Sequence, residues 1–178
     1  MTFPARTLSH GAGFWIVAAA FLMTMAYSTV PTPMYRLYQE RDGFPVWVIT
    51  VVFAAFAVGV ACSLYFAGHL SDWFGRRRML VIAVLISAAA AVLFIVWNDV
   101  PGLLTARFTN GVSVGILTAT ATAHLGELRA IAKPQEKAAV AASIAGAANL
   151  GGLALGALIG GLFAEFLPDP LLLPDAVF

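Results

Sequence analysis

One arginine stands within an apolar run. Arg107 is followed by Phe108-Thr-Asn110-Gly111-Val-Ser-Val-Gly115, and no acidic residue appears downstream before Glu127. A cation in hydrocarbon costs at least about 2.5 kcal/mol at the bilayer centre, so it normally turns toward a cavity or a partner. Gly111 and Gly115 follow it at four-residue intervals, and Thr118 and Thr122 continue that side. Arg107 therefore lies on a smooth stripe that another helix can approach closely. Counting about six residues from Pro101 at ~1.5 Å each sets it roughly 9 Å below one membrane surface. Alternatively, the side chain snorkels outward and only anchors its helix.

A second cluster runs Gly68-His-Leu-Ser-Asp72-Trp-Phe-Gly75-Arg76-Arg77-Arg78-Met-Leu80. Gly68 and Gly75 permit the tight backbone path of a short loop between antiparallel spans. Asp72, at a membrane edge, can accept hydrogen bonds from arginines or cap a helix. A generic basic loop explains the arginines but not the spaced Gly-Asp-Gly. Glu127 is the natural acidic partner for Arg76 or Arg77, or else a charge solvated among headgroups.

Further on, Gly152, Gly156 and Gly160 recur every fourth residue, with Gly161 adjoining. They give one helix face a groove for close contact, a device that many unrelated membrane helices share. Near the start, Tyr27-Ser28-Thr-Val-Pro31-Thr-Pro33-Met-Tyr35 offers hydroxyls to a substrate path beside two prolines that can break the helical ladder. Tyr35, Tyr38 and Trp47 suit an interfacial belt equally well. The histidines at 10, 69 and 124 lack ligand spacing, and Cys62 is a lone packing residue. No HExxH, Walker loop or GxSxG is present, which argues against a protease, an ATP-driven pump and a lipid hydrolase.

The elements that must position these residues are membrane helices. The chain is 61% apolar and 11% charged over 178 residues, too few charges to make a soluble surface. Its net charge of +1 comes with no basic stripe, so no nucleic-acid partner is expected. A span needs about 20 apolar residues. Five stretches meet that test, at about 13–35, 46–68, 79–97, 101–125 and 138–167. A sixth starts near 171 and reads as cut off, so the chain is expected to be truncated. The first stretch is too long for a signal peptide and has no cleavage site. With the N-terminus cytoplasmic, Arg6, Arg76, Arg77, Arg78, Arg129, Lys133 and Lys137 fall inside, and Arg36 and Arg41 outside. This is the orientation that the positive-inside rule selects.

The run from Gly68 to Leu80 resembles the signature loop of the major facilitator superfamily, G-x-L-a-D-r-x-G-r-r-x-x-l, with Trp73 where a basic residue is usual. Arg107, Asn110 and Gly111 resemble that family's fourth-span pattern, with Asn110 in the place of Gln. The fifth stretch is similar to its antiporter motif, with Ser143 at the first glycine position and Ala157 at the proline position. The resemblance implies an all-α, polytopic transmembrane bundle: a single domain that is the N-terminal half of a transporter, resembling the drug:proton antiporter branch. It implies no enzyme activity and no cofactor or metal. The partners it implies are membrane lipid, a small-molecule substrate, a coupling proton and a missing C-terminal half, in the plasma (inner) membrane.

Under that resemblance Arg107, Asn110 and Tyr27 belong to the substrate or proton pathway, the arginine being associated with proton coupling or an anionic substrate. Gly68, Asp72, Gly75, Arg76, Arg77 and Glu127 make a cytoplasmic gate. Gly152, Gly156 and Gly160 form the contact between halves. The first span holds no carboxylate, so a proton carrier must lie elsewhere. Efflux by antiport is the leading expectation. A metabolite or sugar symporter, a non-transporting sensor or accessory protein and an inactive gene fragment are the alternatives.

Overall fold

The structure is a computed structural model that describes residues 9–97 and 99–166, with side chains for all of these but 67–72. The described residues form six helices and no strand: α1 His10–Thr29, α2 Tyr35–Asp42, α3 Val46–Phe74, α4 Arg76–Val96, α5 Val100–Ala132 and α6 Ala138–Phe166. Long apolar runs leave the backbone no partner but itself, and the α-helix is the answer within one segment. Side chains mark some of the boundaries. Ser9 accepts the amide of Ala12 at the start of α1, and Asp99 accepts that of Gly102 at 2.8 Å at the start of α5. The expected sixth stretch lies outside the described residues.

Among the described residues, four helices are long and apolar enough to cross a membrane: α1, residues 46–66 of α3, α4 and α6. Apolar side chains such as Leu85, Leu158 and Phe66 stand exposed on their outer faces, as suits a multi-pass protein whose solvent is lipid. The expected fourth span, now α5, is the longest helix at 33 residues but not among those four. Its polar residues Arg107, Asn110, Ser113 and Thr120 are all buried, because α1, α3, α4 and α6 pack around it. It is the axle of the bundle, screened from lipid by its neighbours.

Two expected boundaries differ. The first span is expected to reach residue 35, but α1 stops at Thr29 and the chain turns through residues 30–34 before α2. Pro31 and Pro33 have no amide hydrogen to continue the ladder. The second is expected to end at Gly68, with a loop beyond it. Instead α3 runs through that position to Phe74, and Gly75 alone makes the corner at φ 82°. Gly68 thus does not bend the chain; a left-handed residue at 75 is enough. With one connecting residue, α3 and α4 splay apart and each packs on α5.

The core lies in two layers. Phe14, Phe21, Met25, Leu117, Leu125 and Ala145 fill the end where α1 begins. Val30, Tyr35, Tyr38, Val52, Phe94 and Leu103 fill the other.

Candidate functional site

Arg107 is 2% exposed, and among the described residues it is the only charged one of the largest fully buried side chains. The broken end of α1 explains how the core accommodates it. In a continuing helix the Ser28 carbonyl would accept the amide of residue 32, but here the Thr32 amide turns back to the Thr29 carbonyl at 3.0 Å. Arg107 Nη1 donates to the Ser28 carbonyl at 2.7 Å instead, and Nη2 donates to Thr32 Oγ1 at 3.2 Å. The guanidinium carbon lies 4.8 Å from the Tyr35 ring centre, 5.6 Å from Phe56 and 5.8 Å from Phe94. Ring faces are attractive to a desolvated cation. The guanidinium caps α1 from inside the bundle, and snorkelling to the surface is ruled out by these contacts.

The helix that approaches the stripe beyond Arg107 is α3. A methyl group on Gly111 would sit 2.2 Å from the Phe56 carbonyl oxygen, and one on Gly115 1.9 Å from Ser63 Oγ. Gly59 of α3 answers with 2.4 Å to the Phe108 carbonyl. Backbones that close leave room for hydrogen alone. On the α4 side, Ser113 Oγ donates to the Ala83 carbonyl at 2.7 Å.

Asn110 is wholly buried one turn from Arg107, and Tyr27 is buried on α1. Tyr27 lines a 140 Å³ cavity with Met23, Thr24, Val84, Ser87, Ala88 and Ala91. Arg107 is thus brought together with Ser28, Thr32 and Tyr35, while Tyr27 opens on a separate space between α1 and α4. Ser28 and Tyr35 carry hydroxyls legible in the sequence; Thr32 was not singled out, although its place between the two prolines was the signal.

At the opposite end, Arg76 Nε donates to Glu127 Oε1 at 2.6 Å, and His124 Nδ1 lies 3.5 Å from Glu127 Oε2. Glu127 thus pairs with Arg76, while Arg77 lines a 900 Å³ groove among α1, α4 and α5, shared with His10 and His124. Gly68 and Asp72 fall in 67–72, outside the residues whose side chains are described. A further ion pair joins Arg129 to Glu136. Arg129 Nε donates to Glu136 Oε2 and its Nη2 to Oε1 at 3.1 Å, with the guanidinium 4.9 Å from the Phe14 ring centre. The hydrogen bond from Arg129 holds the Glu136 carboxyl below its usual range. Opposite charges seven residues apart across the Pro134 turn were the available signal.

The glycine face of α6 meets α1, not a second half. Methyl groups on Gly152, Gly156 and Gly160 would stand 2.5, 1.9 and 2.2 Å from the carbonyls of Leu22, Ala26 and Val30. The expected contact between halves is corrected accordingly: a groove of hydrogens is satisfied by the nearest backbone, and that belongs to the same chain. Thr29 Oγ1 reinforces it by donating to the Leu153 carbonyl at 2.8 Å. Gly161 points away from these contacts.

Residues 43–169 match a family model described as Major Facilitator Superfamily. A puromycin resistance protein of Streptomyces alboniger is 36% identical over 159 residues, covering 87% of this chain and 30% of the relative. An arabinose-proton symporter of Bacillus subtilis is 27% identical over 126 residues, covering 68% and 27%. A probable actinorhodin transporter of Streptomyces coelicolor is 28% identical over 158 residues, covering 89% and 26%. The chain spans less than a third of the length of these curated relatives.

Proposed function

The chain belongs to the Major Facilitator Superfamily, and we propose that it supplies the N-terminal half of a secondary transporter that expels a small molecule in exchange for protons. The observation that carries this reading is Arg107, a charge buried in lipid-facing architecture and bonded to the broken end of α1. A packing element alone has no need of so costly a residue. The similarity to a puromycin resistance protein and to a probable actinorhodin transporter supports efflux.

In this mechanism Arg107 holds the α1 break, with Asn110 and Tyr27 beside the path of substrate or proton. Arg76 and Glu127 join α4 to α5 at the cytoplasmic end, Arg77, Gly75, Gly68 and Asp72 completing that gate. A second half would close the central cavity, and rocking of one half against the other would alternate its access. The basic residues flanking α4 and α5 support a cytoplasmic N-terminus in the plasma membrane.

The test is transport in inverted vesicles carrying the full reading frame, under an imposed inside-acid gradient. Puromycin is the first substrate to offer. Substrate-driven proton release that Arg107→Ala abolishes supports exchange. Substrate moving with protons instead supports a symporter, the reading favoured by the similarity to the arabinose-proton symporter. Absence of coupled flux across a panel of drugs and sugars overturns both.

A further inference from the structure

The carboxylate of Glu127 has two neighbours of different kinds. Its Oε1 accepts Arg76 Nε at 2.6 Å, and its Oε2 lies 3.5 Å from Nδ1 of His124. Arg76 opens α4, so its bond to Glu127 ties two helices together. His124 stands one turn before Glu127 on α5, so that contact stays within one helix and adds nothing to the tie. The imidazole is also the better enclosed of the two, with 22% of its side chain exposed against 51% for Glu127. Partial enclosure leaves a charge there less screened by salt than one in open solvent.

An imidazole ordinarily gains its charge as pH falls through ~6.5. While His124 is neutral, the whole charge of the carboxylate is available to Arg76. Once charged, His124 offsets part of it from within α5. The cation so formed also faces the 900 Å³ groove, to which α4 contributes Arg77 and α1 contributes His10. Arg77 then repels it across the groove, and His10 adds to the repulsion when it too is charged. No carboxylate stands among the described residues that line this groove. On α3, which also packs on α5, the titratable side chains toward the same end, His69 and Asp72, lie outside those described. Loss of attraction at Glu127 and gain of repulsion at Arg77 act in the same direction, away from α4.

We propose that His124 is a proton-operated release on the Arg76–Glu127 latch: its protonation loosens the start of α4 from α5. That this end is the cytoplasmic gate rests on the function proposed above; the release itself rests on the contacts alone. With that placement, the gate answers to proton concentration on the side where exchange delivers protons.

Hydrogen exchange of the full chain in lipid nanodiscs, followed by mass spectrometry at pH ~7.5 and ~5.5, tests it. Rates for residues 74–78 and 124–128 are divided by those of unstructured peptides of the same sequence at the same pH. In the parent that ratio should rise about two- to fivefold on acidification, the scale of one part-exposed ion pair. His124→Gln, polar but without a titrating group, should hold the ratio constant between the two pH values, while His10→Gln and His69→Gln should keep the rise. Should His124→Gln fail to fold, Glu127→Gln serves in its place: with no carboxylate charge to offset, it should lose most of the response. A ratio in the parent that is constant or falls in acid overturns the proposal, as does a rise that persists in His124→Gln or survives whole in Glu127→Gln. None of these readings depends on transport, so a failure of the vesicle assay and a failure of the release are told apart.

Discussion

A guanidinium does two jobs here that an ammonium would not. Its planar fork reaches the Ser28 carbonyl and the Thr32 hydroxyl at once, while its faces meet aromatic rings. A lysine offers a compact, strongly hydrated charge with no such fork. Arg107→Lys should therefore keep the charge and lose the cap. Hydrogen bonds to charged groups contribute about 1.5–3 kcal/mol each, so a fall of several degrees in melting temperature is expected, in detergent, with Arg107→Met no worse. A lysine variant as stable as the parent would show that charge alone is needed. Glu136 gives a second prediction. Its folded-state pKa is depressed by Arg129, so the pair stabilises fully above the unfolded value of ~4.3 and fades as pH falls through the lower, folded value. The melting temperature of the parent should exceed that of Glu136→Gln at pH 7, and the gap should narrow as acidification protonates the Glu136 carboxyl. A gap that does not vary with pH would contradict the assignment.

At the scale of helices, glycine sets the spacing of two crossings. One is α3 on α5 through Gly59, Gly111 and Gly115; the other is α6 on α1 through Gly152, Gly156 and Gly160. A methyl at Gly156 falls on the Ala26 carbonyl and Thr29 Oγ1, with no flexible tail to move aside. Gly156→Ala should thus part α6 from α1 and cost more than about 1 kcal/mol, the low end for overpacking. Gly161→Ala faces open space and should be neutral or slightly stabilising, since alanine is the better helix former. Equal melting temperatures for the two variants would refute the crossing. The periodicity of these glycines was legible in the sequence, as was the pairing of Glu127 with an arginine at the start of the preceding helix. Which backbone fills a glycine groove was not, because spacing names a face and not its neighbour. The prolines at 31 and 33 announced a break near the end of α1, yet the chain still reads as apolar through residue 35, and hydropathy carries no record of a lost amide hydrogen.

The whole bundle is organised by the least apolar of its long helices. Every other long helix packs on α5, and the bonds that leave it reach α1 at one end and α4 at the other. The Arg76–Glu127 pair is part-exposed, at 26% and 51% of the side chains, so it contributes at most about 1 kcal/mol. Glu127→Gln should accordingly leave the fold intact and quicken amide exchange around residues 74–78 and 124–128 by up to about fivefold, measured by mass spectrometry. Unchanged exchange would mean that the two helix ends are joined by packing alone.

The polarity of α5 also bears on how the chain enters its membrane during synthesis. A helix with Arg107 and Asn110 along one side partitions poorly from the translocon into lipid by itself. Only residues 97–99 separate it from α4, one of the most apolar segments of the chain. The two are thus suited to leave the translocon as a hairpin, α4 carrying α5 with it, and the arginine would find the α1 carbonyl already in the bilayer. Order of synthesis then becomes part of the design: a permuted chain that makes α5 before α1 would send the same charge into lipid with nothing to receive it.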